Sequence, residues 1–144
     1  MLLHNLFLYQ DRYFIRVNGE NDTLFYFFDY DVRTEDKNMQ FQHFHTFYEL
    51  CVMMGPNTRH ILEGKPYDME TFDIIGTPPN VLHRSQYPPG DPCKRLIIQF
   101  NLPRNVTGLS NEYERLLGIF HREVPIFRFD ADLQKKMFSK LNDI

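Results

Sequence analysis

Between positions 13 and 100, apolar and polar residues alternate in short runs separated by turn formers, the pattern of a sandwich or barrel of short strands. The runs are "YFIRV" (13–17), "LFYFFDYDVR" (24–33), "QFQHFH" (40–45), "FYELCVMM" (47–54), "TRHILEG" (58–64), "FDIIGT" (72–77), "VLHRSQY" (81–87) and "RLIIQFNL" (95–102). Clusters of Gly, Pro, Asn and Asp punctuate them: "NGEND" at 18–22, "GPN" at 55–57, "GKP" at 64–66, "TPPN" at 77–80 and "PPGDP" at 88–92. After Pro103 the period becomes helical. Asn111 is placed to cap a short helix with Glu114 three residues on, and Tyr113, Leu116, Leu117 and Phe120 fall on one face. Asp130 or Asp132 caps a second helix, along which Leu133, Met137, Leu141 and Ile144 recur at spacings of four, four and three. These patterns predict a mainly β domain over 1–103 and a helical region over 104–144.

Composition sharpens this picture in three ways. Fourteen Phe and eight Tyr without a Trp favour sheet over helix bundle. A net charge of −3, with no cluster of Lys and Arg, excludes a phosphate-tracking surface in this segment. Cys51 and Cys93 stand far apart with no CxxC, which suits reduced thiols in a cytoplasm. The opening residues lack both a basic start and a sustained apolar run, so no signal peptide or membrane span is expected and the localisation is expected to be cytoplasmic.

Chemistry concentrates in "HFHTFYELCVMMG", from His43 to Gly55. Residues two apart on a strand share a face, so an extended 40–45 run projects His43 and His45 together, with Glu49 of the same parity. His83 follows the kinked "GTPPNVL" and meets them if the sheet closes. Three imidazoles and a carboxylate suit Zn, Fe, Mn or Ni and leave coordination positions open. The same four side chains can instead line a metal-free polar pocket. His4, His60 and His121 have no partner at ligand spacing and read as surface or helix-end residues. Within the aromatic run, which mainly fills a barrel, Tyr26 and Phe28 are candidate effector contacts. Arg16, Arg95 and Gln99 lie on strands where one parity must face inward, which makes them candidates too.

HxHxxxE with a glycine beyond it, then a Pro-containing turn leading to His, resembles the two motifs of the cupin superfamily. The second motif departs from the enzymes' form, because the usual PxG is missing and Gln86 stands where an Asn is expected. "HFHTFYELCVMMG", "EGKPYDMETFDIIGTPPNVLH" and "CKRLIIQFN" in this order resemble the effector domain of AraC-family transcription regulators more closely, with Thr71-Phe72-Asp73 at the place of a Gly-Asp turn.

That resemblance implies a cupin or jelly-roll barrel followed by two C-terminal α-helices, binding a small effector such as a carbohydrate. It also implies homodimer pairing, for which Leu133, Met137, Leu141 and Ile144 are the candidate face, and DNA binding only through a separate helix-turn-helix domain beyond this chain. Residues 1–12, with Leu2, Leu3, Leu6, Phe7 and Leu8, are the candidate arm over the barrel mouth. On this reading the chain is not an enzyme; the alternative is a stand-alone metal-dependent cupin enzyme, a dioxygenase or sugar isomerase.

Overall fold

The computed structural model describes residues 12–18, 23–55, 58–102 and 115–143; residues 1–11 of the candidate arm at 1–12, Asn111, Tyr113, Ile144 and the side chains of Arg16 and Leu141 lie outside the described set. Among the described residues nine strands form two antiparallel sheets. The larger runs β1-β2-β8-β3-β6-β9 and the smaller β5-β4-β7. Their bounds are β1 Arg12–Asn18, β2 Thr23–Arg33, β3 Tyr48–Met53, β4 Thr58–Leu62, β5 Lys65–Met69, β6 Ile74–Thr77, β7 His83–Gln86, β8 Cys93–Phe100 and β9 Ile126–Phe127. The chain crosses between the sheets from β3 to β4, β5 to β6, β6 to β7 and β7 to β8, which makes a cupin-type jelly roll.

Alternation along each strand sorts the side chains. On β3 and β8 the odd positions Cys51, Met53, Cys93 and Ile97 turn inward and join Leu62, Met69, Ile75 and Tyr87 in one core between the sheets. The even positions Val52 and Leu96 turn outward with Phe28, and there they meet Met137 of helix α1, Ala131–Asn142. A large aliphatic side chain fully withdrawn from water contributes about 1.5–3 kcal/mol, so both faces of the large sheet stabilise the fold. Asp130 caps α1 through the backbone N–H groups of Asp132 and Leu133, at 3.1 and 2.9 Å.

Two turns explain local sequence choices. Glu63 and Gly64 have φ of 47° and 80°, a two-residue hairpin with both central residues left-handed, which matches the twist of the β4 and β5 strands it joins. Phe72 has φ of 72°. A bulky residue there is uncommon, because this left-handed region favours glycine. Its ring packs edge-on against Phe138 at 4.7 Å, which ties the turn to α1. Buried Asp73 beside it holds the Arg128 guanidinium at 2.9 and 2.7 Å and accepts the Glu70 N–H at 2.7 Å.

Several expectations are corrected. The 40–45 run is not a strand; it is irregular except for one bridge, His43 to His83. β5 was hidden because Lys65, Pro66 and Asp68 point to solvent from an edge strand, the one place a sheet tolerates proline. As expected, a first C-terminal helix is present, described from residue 115 to 117, and it leads into a 3₁₀ turn, Gly118–His121; Leu116 is exposed and Phe120 is buried against Gly76. On α1, where the sequence left open packing on the barrel or on a second copy, Met137 packs on the barrel and Leu133 is exposed. Among the described residues no helix is long and apolar enough to cross a membrane.

Candidate functional site

At one end of the barrel the large sheet places Glu49 between Thr77 and Gln99, its neighbours in register on β6 and β8. Gln99 Nε2 donates to Glu49 Oε2 at 2.6 Å. The small sheet faces this trio with His60 and Ser85, paired across β4 and β7, and with His83. The irregular segment before β3 supplies His45. The Asn80 N–H donates to the His45 carbonyl at 2.7 Å, so the "TPPN" turn holds that backbone in place.

The two imidazoles are oriented by backbone carbonyls. His45 Nδ1 lies 2.8 Å from the Phe47 carbonyl and His83 Nδ1 lies 2.8 Å from the Val81 carbonyl. A carbonyl only accepts, so both Nδ1 atoms carry the proton and both Nε2 atoms present a lone pair. Those Nε2 atoms are buried, have no hydrogen-bond partner, and lie 3.4 and 3.7 Å from the Glu49 carboxylate. The ligand atoms of His45, Glu49 and His83 all fall within 4.8 Å of one another.

Acceptors facing one another without a donor between them call for a cation. Metal–ligand bonds of about 2.0–2.2 Å put neighbouring tetrahedral or octahedral ligand atoms about 3.0–3.5 Å apart, close to the observed Glu–His separations. The donor set therefore fits a divalent ion. Burial works against the Glu49 carboxylate, the donating Gln99 amide favours it, and a cation held among the three ligand atoms would favour it further. Burial lowers the His83 and His43 pKa values, which keeps these rings available as neutral donors.

His43 does not join the three-ligand group. Its backbone exchanges two hydrogen bonds with His83, at 2.9 and 2.8 Å, and this bridge stands in place of the strand geometry that would have aligned it with His45. Its ring sits beside the group, 4.3 Å from His83 and 6.3 Å from His45 between centroids, with Nδ1 buried and unpartnered.

A cavity of about 170 Å³ runs from this end toward Arg95 and Tyr87. Gln99 and Arg95 both line it, at the expected inward parity. Arg95 donates from Nε to Asp31 at 2.8 Å and lies over the Tyr87 ring at 6.0 Å. Tyr26 and Phe28 have the opposite parity: Phe28 is in the outer core and Tyr26 is exposed, while Phe27 and Asp29 line the cavity instead.

His60, read from sequence as a surface residue, is 1% exposed and lines the cavity with its ring 5.9 Å from His83. Its signal was parity with Thr58 and Leu62, which are buried alongside it on β4. Its Nδ1 meets Ser85 Oγ at 3.0 Å and its Nε2 is unpartnered. Burial drives its pKa down to about 3.

The unfolded chain therefore takes up a proton near pH 6.5 that the native His60 refuses, and stability falls as pH drops below that value. The slope reaches about 1.4 kcal/mol per pH unit. Urea unfolding at pH 6.5 and 5.0 is expected to show His60→Gln losing about 1.6 kcal/mol less than the unsubstituted chain. Equal losses would place His60 in a solvated setting.

The sequence model of the AraC-like ligand binding domain matches residues 25–122, more than half of the chain. The chain belongs to that family. This AraC-like domain has no match among curated proteins. Solved structures similar to it include AerE from Microcystis aeruginosa, at 12% identity and TM-score 0.50, covering 62% of this chain and 47% of that one. A cupin protein from Bacteroides fragilis has 13% identity and TM-score 0.49 over 68% of this chain and 82% of that one. A cupin-2 domain containing protein from Shewanella frigidimarina has 18% identity and TM-score 0.44 over 72% and 94%. At these identities the likeness of the AraC-like domain to them is one of fold.

Proposed function

We propose that this AraC-like domain is the sensing part of a transcription regulator, holding a divalent ion at His45, Glu49 and His83 and a small hydroxyl-bearing molecule of the carbohydrate kind in the adjoining cavity. The observation that carries the reading is the pair of buried Nε2 lone pairs aimed with a carboxylate at one spot, next to a cavity whose walls hold further unsatisfied polar atoms. The ion would fix oxygen atoms of the guest. Gln99 orients Glu49, and the Phe47 and Val81 carbonyls orient the imidazoles.

Residues 1–103 serve as the sensing barrel and 104–144 as the helical connection, with Leu133 among the side chains left to face a second copy. Binding of the guest biases the placement of a separate DNA-reading domain in the cytoplasm. A coupling of about 1–3 kcal/mol is enough to change DNA affinity about five- to 150-fold. A metal-dependent enzyme is the second reading, favoured by one observation: three protein ligands leave coordination positions for a substrate.

The test is operator binding by the intact regulator, measured with metal-loaded protein across a library of small polyols and sugar acids. A ligand that shifts operator affinity without being consumed supports the sensor. Turnover of the ligand by the metal-loaded domain moves the assignment to the enzyme.

A further inference from the structure

We propose that the Tyr87 ring is the wall that sets the size of the guest, dividing the cavity beside His60 and Ser85 from a larger pocket on its far side. This deepens the sensor reading and rests on its guest, with no part played by the ion.

Two hollows meet at this ring. The inner cavity measures about 170 Å³ and has Ser85 in its lining, whereas the outer pocket measures about 450 Å³ and is bordered by exposed Glu35 and Arg59. Among the described residues Tyr87 alone lines both. Successive residues on each neighbouring segment divide in the same way, with Lys37, Met39 and Ser85 on the cavity side and Asn38 and Gln86 on the pocket side. On β7 this follows from the two-residue period of extended chain. The partition therefore comes down to one side chain.

That side chain is held fast. Tyr87 is 4% exposed and belongs to the core with Cys51, Met69 and Cys93. Its N–H donates to Asn38 Oδ1 at 2.6 Å and its carbonyl accepts from Asn38 Nδ2 at 2.9 Å, so a side-chain amide stands in for a strand partner. Pro88 confines the residue before it to extended backbone, and Pro89 stiffens the exit. On the cavity side Arg95 lies over the ring at 6.0 Å, and Asp31 holds that guanidinium at 2.8 Å. A close-packed interior resists the displacement that an oversized guest needs.

The consequence is a size limit. An engineered cavity of about 150 Å³ accommodates benzene, so about 170 Å³ suits a guest of the size of a small open-chain polyol and is tight for a hexose. Without the ring the two hollows merge, and the limit rises.

The experiment reads access to the cavity through a thiol placed in its lining, Ser85→Cys, with a chelator present so that no ion takes part. N-ethylmaleimide is expected to modify that thiol at rates within about twofold whether or not Tyr87→Ala is also present, while fluorescein maleimide, the same reactive ring on a bulky dye, reacts about tenfold faster once Tyr87→Ala removes the wall. Tyr87→Phe keeps the ring and is expected to behave as the unsubstituted residue. Tyr87→Leu, apolar but too short to divide the two spaces, is expected to match Tyr87→Ala and serves where the smaller residue leaves the chain unfolded. Buried Cys51 and Cys93 report a loosened core by becoming modified themselves. Both reagents accelerating together, or a dye rate indifferent to every substitution at position 87, overturns the wall. Either result leaves the sensor reading standing, because operator binding tests that separately; a regulator that answers to no small molecule removes the guest while the labelling still reports the partition.

Discussion

His45→Ala abolishes the rise in melting temperature that zinc gives the unsubstituted chain, whereas His43→Ala retains most of it. Zinc at about a hundred times its Kd stabilises the native state by about 2.7 kcal/mol, several degrees for a domain of this size. Removing His45 leaves only two of the three converging ligand atoms, and the remaining His83–Glu49 pair cannot hold the ion at the same concentration. His43 is the control, since its ring lies outside the three-ligand group. Thermal melts with zinc and with a chelator, on all three proteins, read the result. Equal loss in both variants would add His43 to the ligand set; a zinc effect untouched by either would remove the site.

Gly55→Ala is expected to be the most damaging single methyl in the described part of the molecule, lowering stability by about 3 kcal/mol, at the upper end of what overpacking costs. A Cβ at Gly55 would stand 2.7 Å from the Lys94 backbone nitrogen and 3.1 Å from the Cys93 Cα. The obstacle is main chain in the sheet and cannot rotate away. The Met54 N–H also donates to the Lys94 carbonyl at 2.8 Å, so separating the two segments breaks that bond. Urea denaturation with an unchanged slope measures the effect. A loss under about 1 kcal/mol would mean that the β3–β8 approach is looser than these distances.

That glycine shows what the sequence could carry. Its presence after HxHxxxE was legible as part of a motif, but the reason for it, a close approach of β8, is a long-range contact that no local pattern encodes. Glu49 and Gln99 were legible because regular strands obey parity, and β3 and β8 are regular. His43 lines the cavity but stands outside the three-ligand group, for the opposite reason. The apolar–polar alternation of 40–45 meets the condition for a strand, yet the segment forms one bridge instead of a ladder, so parity does not carry from His43 to His45.

Tyr26 and Phe28 fell on the wrong face because β2 is apolar on both sides, one side covering the cavity and the other receiving Met137. Alternation cannot orient a strand whose two faces are both buried. His60 was passed over because its partner Ser85 is 25 residues away and comes alongside only through the β4–β7 pairing.

The large sheet is a wall one residue thick. Ile97 and Arg95 touch the guest space while Leu96, between them, belongs to the layer beneath α1. A tightly packed interior does not absorb small displacements, so a shift of β8 that accommodates a guest moves Leu96 relative to Met137 by a similar amount. On the sensor reading proposed above, occupancy of the cavity would reach the helix across a single peptide unit, with no relay of intervening side chains.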